Sequence, residues 1–245
     1  LEFRRVLFRS GLVMDVCESA AREFGRRYDV PSITDLDAVL SDDRIEAVVI
    51  AVPHHLHREL TLRAAAAGKH IVVEKPIALN VSEGAEMVRA ARAAGVSLSV
   101  FYPMRFSPAV SRAREFIRGG GLGTLFGTRI VMLRDKSESF LGRNTWSEVN
   151  PNWRADRQKS GGGMLMDNIA HYLDYYFYLT GMEVEEVAGL QATNLIPADV
   201  EDTAAVLCRY ENGAQGTIVV SSVVRGAGNE LDSSRGNSVQ DIWGS

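Results

Sequence analysis

The amino-acid sequence predicts an α/β protein, in which a parallel-sheet domain is followed by an α+β domain with a mostly antiparallel open sheet. Three observations lead there. Over residues 11–102, short apolar runs alternate with helical stretches, the pattern of repeated strand–helix–strand units. One run, Ala47-Val48-Val49-Ile50-Ala51-Val52, is apolar throughout, as strands covered by helices on both faces are. After Gly119-Gly120-Gly121 the alternation stops, and strand patterns follow one another around a hairpin turn at Glu211-Asn212-Gly213-Ala214.

In chain order the first half reads as a strand over 12–16 and a helix over 20–28. A short helix before Arg44 follows, opened by Thr34 and Asp37 as a capping box. Strand 47–52, helix 60–67, strand 71–73, helix 83–94 and strand 96–101 complete the alternation. Gly68 and Gly95 stand where these helices end, because glycine takes the left-handed conformation a helix C-cap requires. Ser107 as N-cap and Pro108 at the first helical position predict a helix over 109–118 that bridges two domains, 11–104 and 105–245. Beyond it come a strand over 128–133, a polar loop over 135–160, a helix over about 164–179, and strands over 184–191, 203–210 and 215–224. Met164, Leu165, Ile169 and Leu173 predict that the second-half helix is largely buried.

Composition narrows the function. Of 245 residues 46% are apolar and 24% charged, which permits a packed core, and the formal net charge of −4 comes without a Lys/Arg stripe. A nucleic-acid footprint and a polybasic membrane patch are both excluded, so small molecules are the expected ligands. Cys17 and Cys208 are far apart with no CxxC, which points away from zinc and disulfides and toward a reducing, cytoplasmic setting. No apolar run reaches the roughly 18 residues of a membrane helix. Residues 1–10, LEFRRVLFRS, resemble a translated sequencing adapter, and 238–245 stop without a closing element. The chain is therefore expected to be a fragment truncated at both ends.

Two clusters carry chemistry. Glu74-Lys75-Pro76 follows the apolar run 71–73, which puts a lysine at the C-terminal edge of a parallel strand, where open α/β sheets bind ligands. Proline holds that lysine extended. Gly161-Gly162-Gly163 is followed by Asp167 and His171, which at i and i+4 share a helix face. The glycines allow close backbone approach and could present N–H groups to a ligand. By residue type alone, Lys75 also reads as a solvated edge charge, and Asp167 with His171 as a structural hydrogen-bonded pair. His54, His55 and His57 invite a metal reading, but no Cys or carboxylate adjoins them in sequence, so no metal site is expected. Polar residues opening a helix account better for His54 and His55.

The stretches AVVIAVPHHLH, GKHIVVEKPIAL, RFSPAV and GGGMLMDNIAHYLD resemble, in this order and spacing, the Gfo/Idh/MocA family of nicotinamide-dependent sugar and polyol dehydrogenases. The similarity covers about 11–230. It implies a Rossmann domain, here incomplete: the first residues resemble its second strand, and no Gly-rich pyrophosphate turn precedes them. The 245-residue chain is accordingly expected to bind dinucleotide poorly.

The resemblance also assigns roles. Asp15 matches the acid that binds the adenosine ribose hydroxyls and favours NAD over NADP, though it also reads as a helix N-terminal carboxylate. Pro53, His54, Glu74, Lys75 and Pro76 line the nicotinamide end, with Lys75 directed at the nicotinamide and the substrate hydroxyl. His171 is the general base and Asp167 orients it or contacts substrate; an unperturbed imidazole titrates near pH ~6.5, close to working pH. Arg105, Trp153 and Arg154 are candidates for sugar contacts, although Arg105 also reads as a tie for the bridging helix and Trp153 as core. Asp174 reads as structural. Tyr172, Tyr175, Tyr176 and Tyr178 read as packing or subunit interface, and a homo-oligomer is expected. The implied reaction is NAD-dependent oxidation of a secondary hydroxyl on a sugar or cyclic polyol, with a glycosidase using NAD transiently and a non-catalytic sensor as rivals.

Overall fold

The computed structural model describes residues 11–135, 153–194, 197–224 and 237–244. The first ten residues and most of the 135–160 loop lie outside them.

The first half forms as its alternation predicts, in two separate parallel sheets. Strand β1 (Val13–Met14) pairs with β2 (Ser32–Ile33), on either side of helix α1 (Glu18–Tyr28). Strands β3 (Ala47–Ile50), β4 (His70–Glu74) and β5 (Leu98–Phe101) make a three-stranded sheet in that order. The short helix α2 (Leu36–Ser41) lies between β2 and β3, and its cap is Asp35, one residue beyond the expected Thr34. The Asp35 carboxylate accepts from the N–H groups of Asp37 and Ala38, a stronger bond than a hydroxyl offers. Helices α3 (His57–Ala66) and α4 (Val81–Ala93) pack Ala64, Ala65 and Met87 on Ile50, Ile71 and Val73. Each fully buried aliphatic chain of this size contributes roughly 1.5–3 kcal/mol.

That core covers one face of β3 only. Val49 on the other face is 62% exposed, so the apolar run at 47–52 is not the doubly covered strand expected from it. Among the described residues no helix packs over that face. Gly68 and Gly95 do take positive φ behind α3 and α4.

A turn of 3₁₀ helix, Pro103–Phe106, leads into helix α5 (Pro108–Arg118). The second half is a five-stranded sheet ordered β10-β6-β9-β8-β7. Its strands are β6 (Leu125–Leu133), β7 (Val184–Ala192), β8 (Thr203–Tyr210), β9 (Gln215–Ser221) and β10 (Asn237–Gly244). Every neighbouring pair is antiparallel except β6 with β9. Two endings differ from expectation. The strand at 215 stops at Ser221, with Val223 bridging Asp135, and the last residues are themselves a strand closing the edge against β6.

The predicted helix at 164–179 is a π-helix, Leu165–Ile169, running into helix α6 (Ala170–Thr180). Met164, Ile169 and Tyr176 pack on the sheet through Ile130, Met132, Ile218 and Val220. Leu173, expected in the core, is 40% exposed, because the π turn breaks the 100° step that placed it on the inner face.

Candidate active site

The C-terminal ends of β3 and β4 meet the start of the π-helix, and the side chains that sequence singled out converge there. Lys75 follows β4 and reaches across to the second half: its Nζ donates to Asp167 Oδ1 at 2.9 Å and to the Asp167 main-chain carbonyl. Both side chains are mostly buried, at 15% and 12% exposure. An ion pair so placed is costly to assemble and strongly destabilised by loss of one member, so it defines geometry more than it adds stability. Asn168 Nδ2 donates to the other Asp167 oxygen at 3.1 Å.

Asp167 lies in the π segment and His171 in the first turn of α6, so the i, i+4 pair spans the change of helix type. π turns recur at functional sites because they re-aim side chains that a regular helix would space evenly. The His171 ring meets Tyr102 edge-on, with centroids 6.2 Å apart. Tyr102 stands at the end of β5, where burial raises its phenol above the ordinary value, so it remains a neutral hydroxyl.

The histidines after β3 do more than open a helix. His54 is buried, donates from Nδ1 to the Ser160 carbonyl at 2.8 Å, and packs edge-on against Trp153 with centroids 4.5 Å apart. It ties the two halves together at the glycine turn. Burial pushes its imidazole down to about 4, outweighing the Ser160 bond and the Asp167 charge that raise it. His57 is fully buried between the carbonyls of Pro76, at 2.9 Å, and Val52, at 3.0 Å, bracing the Lys75-Pro76 turn against the end of β3. Burial lowers its pKa as well. Sequence reasoning missed both ties.

The glycine turn is held from the sheet side. Glu201, buried between β7 and β8, accepts at one carboxylate oxygen from Gly163 N–H at 2.8 Å and at the other from Leu165 N–H at 3.0 Å. Its main-chain carbonyl accepts from Met164 N–H at 3.2 Å. A Cβ on Gly163 would lie 1.8 Å from that carbonyl, which is why glycine stands there, and Gly161 takes positive φ. The N–H of Gly163 is therefore spent on Glu201, not presented to a ligand as the sequence suggested. An isolated Glu-Asp beside an apolar strand was the available signal.

The remaining candidates separate. Asp15 ends β1, and its Oδ1 accepts from Cys17 N–H at 2.8 Å. Arg105 is bonded through two nitrogens to Asp174 and faces the rings of Tyr102 and Tyr178, which ties the start of α5 to α6. Trp153 is buried against His54, while Arg154 is exposed with its guanidinium carbon 4.2 Å from the Trp153 ring centroid. Tyr176 packs in the core and donates to the Arg129 carbonyl. Among the described residues no group of three or more His, Cys, Asp and Glu is arranged to hold a metal ion.

A parallel-sheet domain joined to a mixed-sheet domain, with a buried lysine–aspartate pair across the join, defines a two-domain α/β protein with a polar site at the strand ends. Its family is the Gfo/Idh/MocA oxidoreductases, to which the chain belongs. Residues 7–102 match the family's "Oxidoreductase family, NAD-binding Rossmann fold" and 110–234 match its C-terminal domain. Levoglucosan dehydrogenase of Pseudarthrobacter phenanthrenivorans is 30% identical over 243 residues, 89% of this chain and 59% of that protein. A 2,7-anhydro-N-acetylneuraminate hydratase of Mediterraneibacter gnavus is 35% identical over 156 residues, 63% of this chain and 38% of that protein. The structure of the WlbA dehydrogenase of Bordetella pertussis, in complex with NADH and UDP-GlcNAcA, superposes with a TM-score of 0.83 at 25% identity, covering 96% of this chain and 68% of that one. The chain thus spans only part of the length of these relatives.

No helix of the described residues is long and apolar enough to cross a membrane.

Proposed function

We propose that the chain belongs to an NAD-dependent dehydrogenase that oxidises a secondary hydroxyl of a sugar or cyclic polyol. The observation that carries this reading is the Lys75–Asp167 pair, buried at the end of β4 and formed on the same helix as His171. A solvated edge lysine or a merely helical His-Asp pair has no reason to bridge the two halves. Relatives named for anhydrosugars and a nucleotide-sugar complex support the substrate class.

The residues present fit a dinucleotide at its two ends. Asp15 ends β1 where ribose hydroxyls are bound, which favours NAD over NADP. Pro53, His54, Glu74, Lys75 and Pro76 gather at the ends of β3 and β4, and the buried Nδ1 of His55 beside them has no hydrogen-bond partner. Among the described residues no Gly-rich turn opens a helix behind a parallel strand. When bound, NAD supplies the hydride acceptor.

The chain's own residues handle the proton and the charge. His171 accepts the hydroxyl proton. The Lys75 ammonium, directed by Asp167, offsets negative charge developing on the same oxygen, and the mostly buried setting strengthens that effect. Arg154, exposed beside the ring of Trp153, contacts the sugar, and Trp153, buried against His54, backs it. Arg105, bonded through two nitrogens to the carboxylate of Asp174, acts as a tie.

The family matches, breaking between 102 and 110, support a division into domains near residue 104. The outer sheet face exposes Leu190 and Val219 on either side of Ala205, with Leu207 two residues further along the same strand as Ala205, which supports a homo-oligomer. Cys17 and Cys208 form no disulfide among the described residues, which supports a reducing, cytoplasmic setting.

The relative named as a hydratase favours a second reading, in which NAD is reduced and reoxidised within one turnover. Incubation with NAD and a sugar and polyol panel separates the two. Accumulating NADH supports the dehydrogenase; sugar conversion without net NADH supports the second reading. If neither occurs, with this chain or with one extended to the length of its relatives, the catalytic reading is wrong and a sensor is favoured.

A further inference from the structure

We infer that Glu201 is a positioning residue for the site: its carboxylate fixes the glycine turn so that Asp167 meets Lys75. The inference rests on reading Lys75 and Asp167 as site residues, and it is carried by an unbroken series of hydrogen bonds from the sheet to the lysine.

The series begins at Asp202, which is 1% exposed. Its N–H donates to the Ala192 carbonyl at the end of β7, its carbonyl accepts from Ser222 N–H just beyond β9, and its Oδ2 accepts from Asn194 N–H at 2.8 Å. Residue 202 is therefore locked to two strands. Glu201, the adjoining residue, inherits that rigidity and offers three acceptors to consecutive residues: two carboxylate oxygens to Gly163 and Leu165, and a main-chain oxygen to Met164. Gly163 then accepts at its own carbonyl from Asp167 N–H at 2.9 Å, and the Asp167 carboxylate accepts from Lys75 Nζ.

The residue type is specific to this task. A carboxylate has two acceptor oxygens and no donor, which matches two N–H groups pointing one way; an amide presents one donor and collides with one of them. Among the described residues Glu201 forms no ion pair, so its buried charge is held by these main-chain donors and by the positive end of the helix they open.

The test reads the Lys75–Asp167 pair directly in the 245-residue chain and needs no turnover. Lys75 acetylation by sulfosuccinimidyl acetate is followed by mass spectrometry in wild type, Glu201→Gln, Glu201→Asp and Asp167→Asn. Val220→Ala, in the sheet core, serves as a control for lost stability alone. Asp167→Asn removes the charged partner while keeping the bond to the residue 167 main-chain carbonyl, and it sets the reference rate for a weakened pair. Glu201→Gln should raise Lys75 labelling roughly fivefold toward that rate, the scale of one net hydrogen bond. Glu201→Asp, which keeps the charge and loses reach, should fall between, and Val220→Ala should label as wild type. If Glu201→Gln does not fold, Glu201→Asp carries the same prediction. Wild-type labelling in the folded Glu201 variants, or an equal rise in Val220→Ala, overturns the inference. Failure to oxidise any sugar would overturn the proposed function and leave this labelling result standing.

Discussion

Lys75 Nζ lies 2.9 Å from Asp167 Oδ1, a bond between residues 92 positions apart that joins the parallel-sheet half to the mixed-sheet half. Each side chain is nearly dry, so neither charge is comfortable alone. Asp167→Asn should therefore destabilise the chain by about 3–5 kcal/mol in urea unfolding, and Lys75→Met with Asp167→Leu together by much less. Additive single losses in the double variant would show that the two charges are not coupled.

Gly163 meets Glu201 more closely than any side chain permits, with 1.8 Å between an added Cβ and the Glu201 carbonyl. The obstacle is backbone held by two strands, so it cannot swing aside. Gly163→Ala should cost about 1–3 kcal/mol, the range of overpacked sites, and should accelerate Lys75 acetylation as the Glu201 variants do. Alanine accepted at 163 without change in Tm would mean that the turn is loosely held.

Acid should loosen the join. His54 titrates near 4 when folded and near 6.5 when exposed, so between those values the unfolded chain binds the extra proton. Stability is then full above about pH 6.5 and is lost as pH falls toward 4, by on the order of 3 kcal/mol at most. His57, also lowered by burial, adds to the same slope. In urea titrations at pH 7 and 4.5, His54→Asn should remove part of the difference. An unchanged difference would place the acid sensitivity elsewhere.

The fold was legible wherever period and punctuation agreed. Gly68 and Gly95 marked helix ends by backbone need alone, and the turn at 211–214 set the β8–β9 register. What escaped depended on distant partners. Nothing in the apolar run at 47–52 tells that one face of β3 lies open, because cover comes from other elements. The π turn at 165–169 arises where Glu201, far along the chain, holds the helix start, and His54 reads from sequence only as a polar residue opening a helix, because Ser160 and Trp153, which enclose it, lie far along the chain. Lys75, Asp167 and His171 could be named from motifs, whereas the ion pair between the first two is tertiary information.

Binding of NAD should be weak in this chain. Asp15 and the 74–76 turn stand at strand ends suited to the two ends of the dinucleotide, but among the described residues no Gly-rich turn joins a parallel strand to a helix start that could cradle its pyrophosphate, the most highly charged part. Adding a strand, a Gly-rich turn and a helix ahead of Gly11 should tighten binding in calorimetry by supplying that cradle between β1 and β3, which are not paired with each other. Equal affinity with and without the addition would refute the cradle argument.

His171 should prove the group that moves the proton. Its ring is fixed against Tyr102 one helical turn beyond Asp167, while Lys75 approaches from the opposite domain, so a hydroxyl between them meets a base and a cation at once. In a chain extended to the length of its relatives, His171→Ala should lower kcat by roughly 10²–10⁴-fold and leave NAD affinity nearly unchanged, because the imidazole acts on the substrate. Lys75→Ala should reduce turnover and also weaken NAD binding, since it serves both ligands. The two variants are thereby distinguishable by their Kd for NAD as well as by rate. Near-normal kcat in His171→Ala, with every sugar the extended chain oxidises, would return His171 to a packing role and leave the Lys75–Asp167 pair as the catalytic element to be explained.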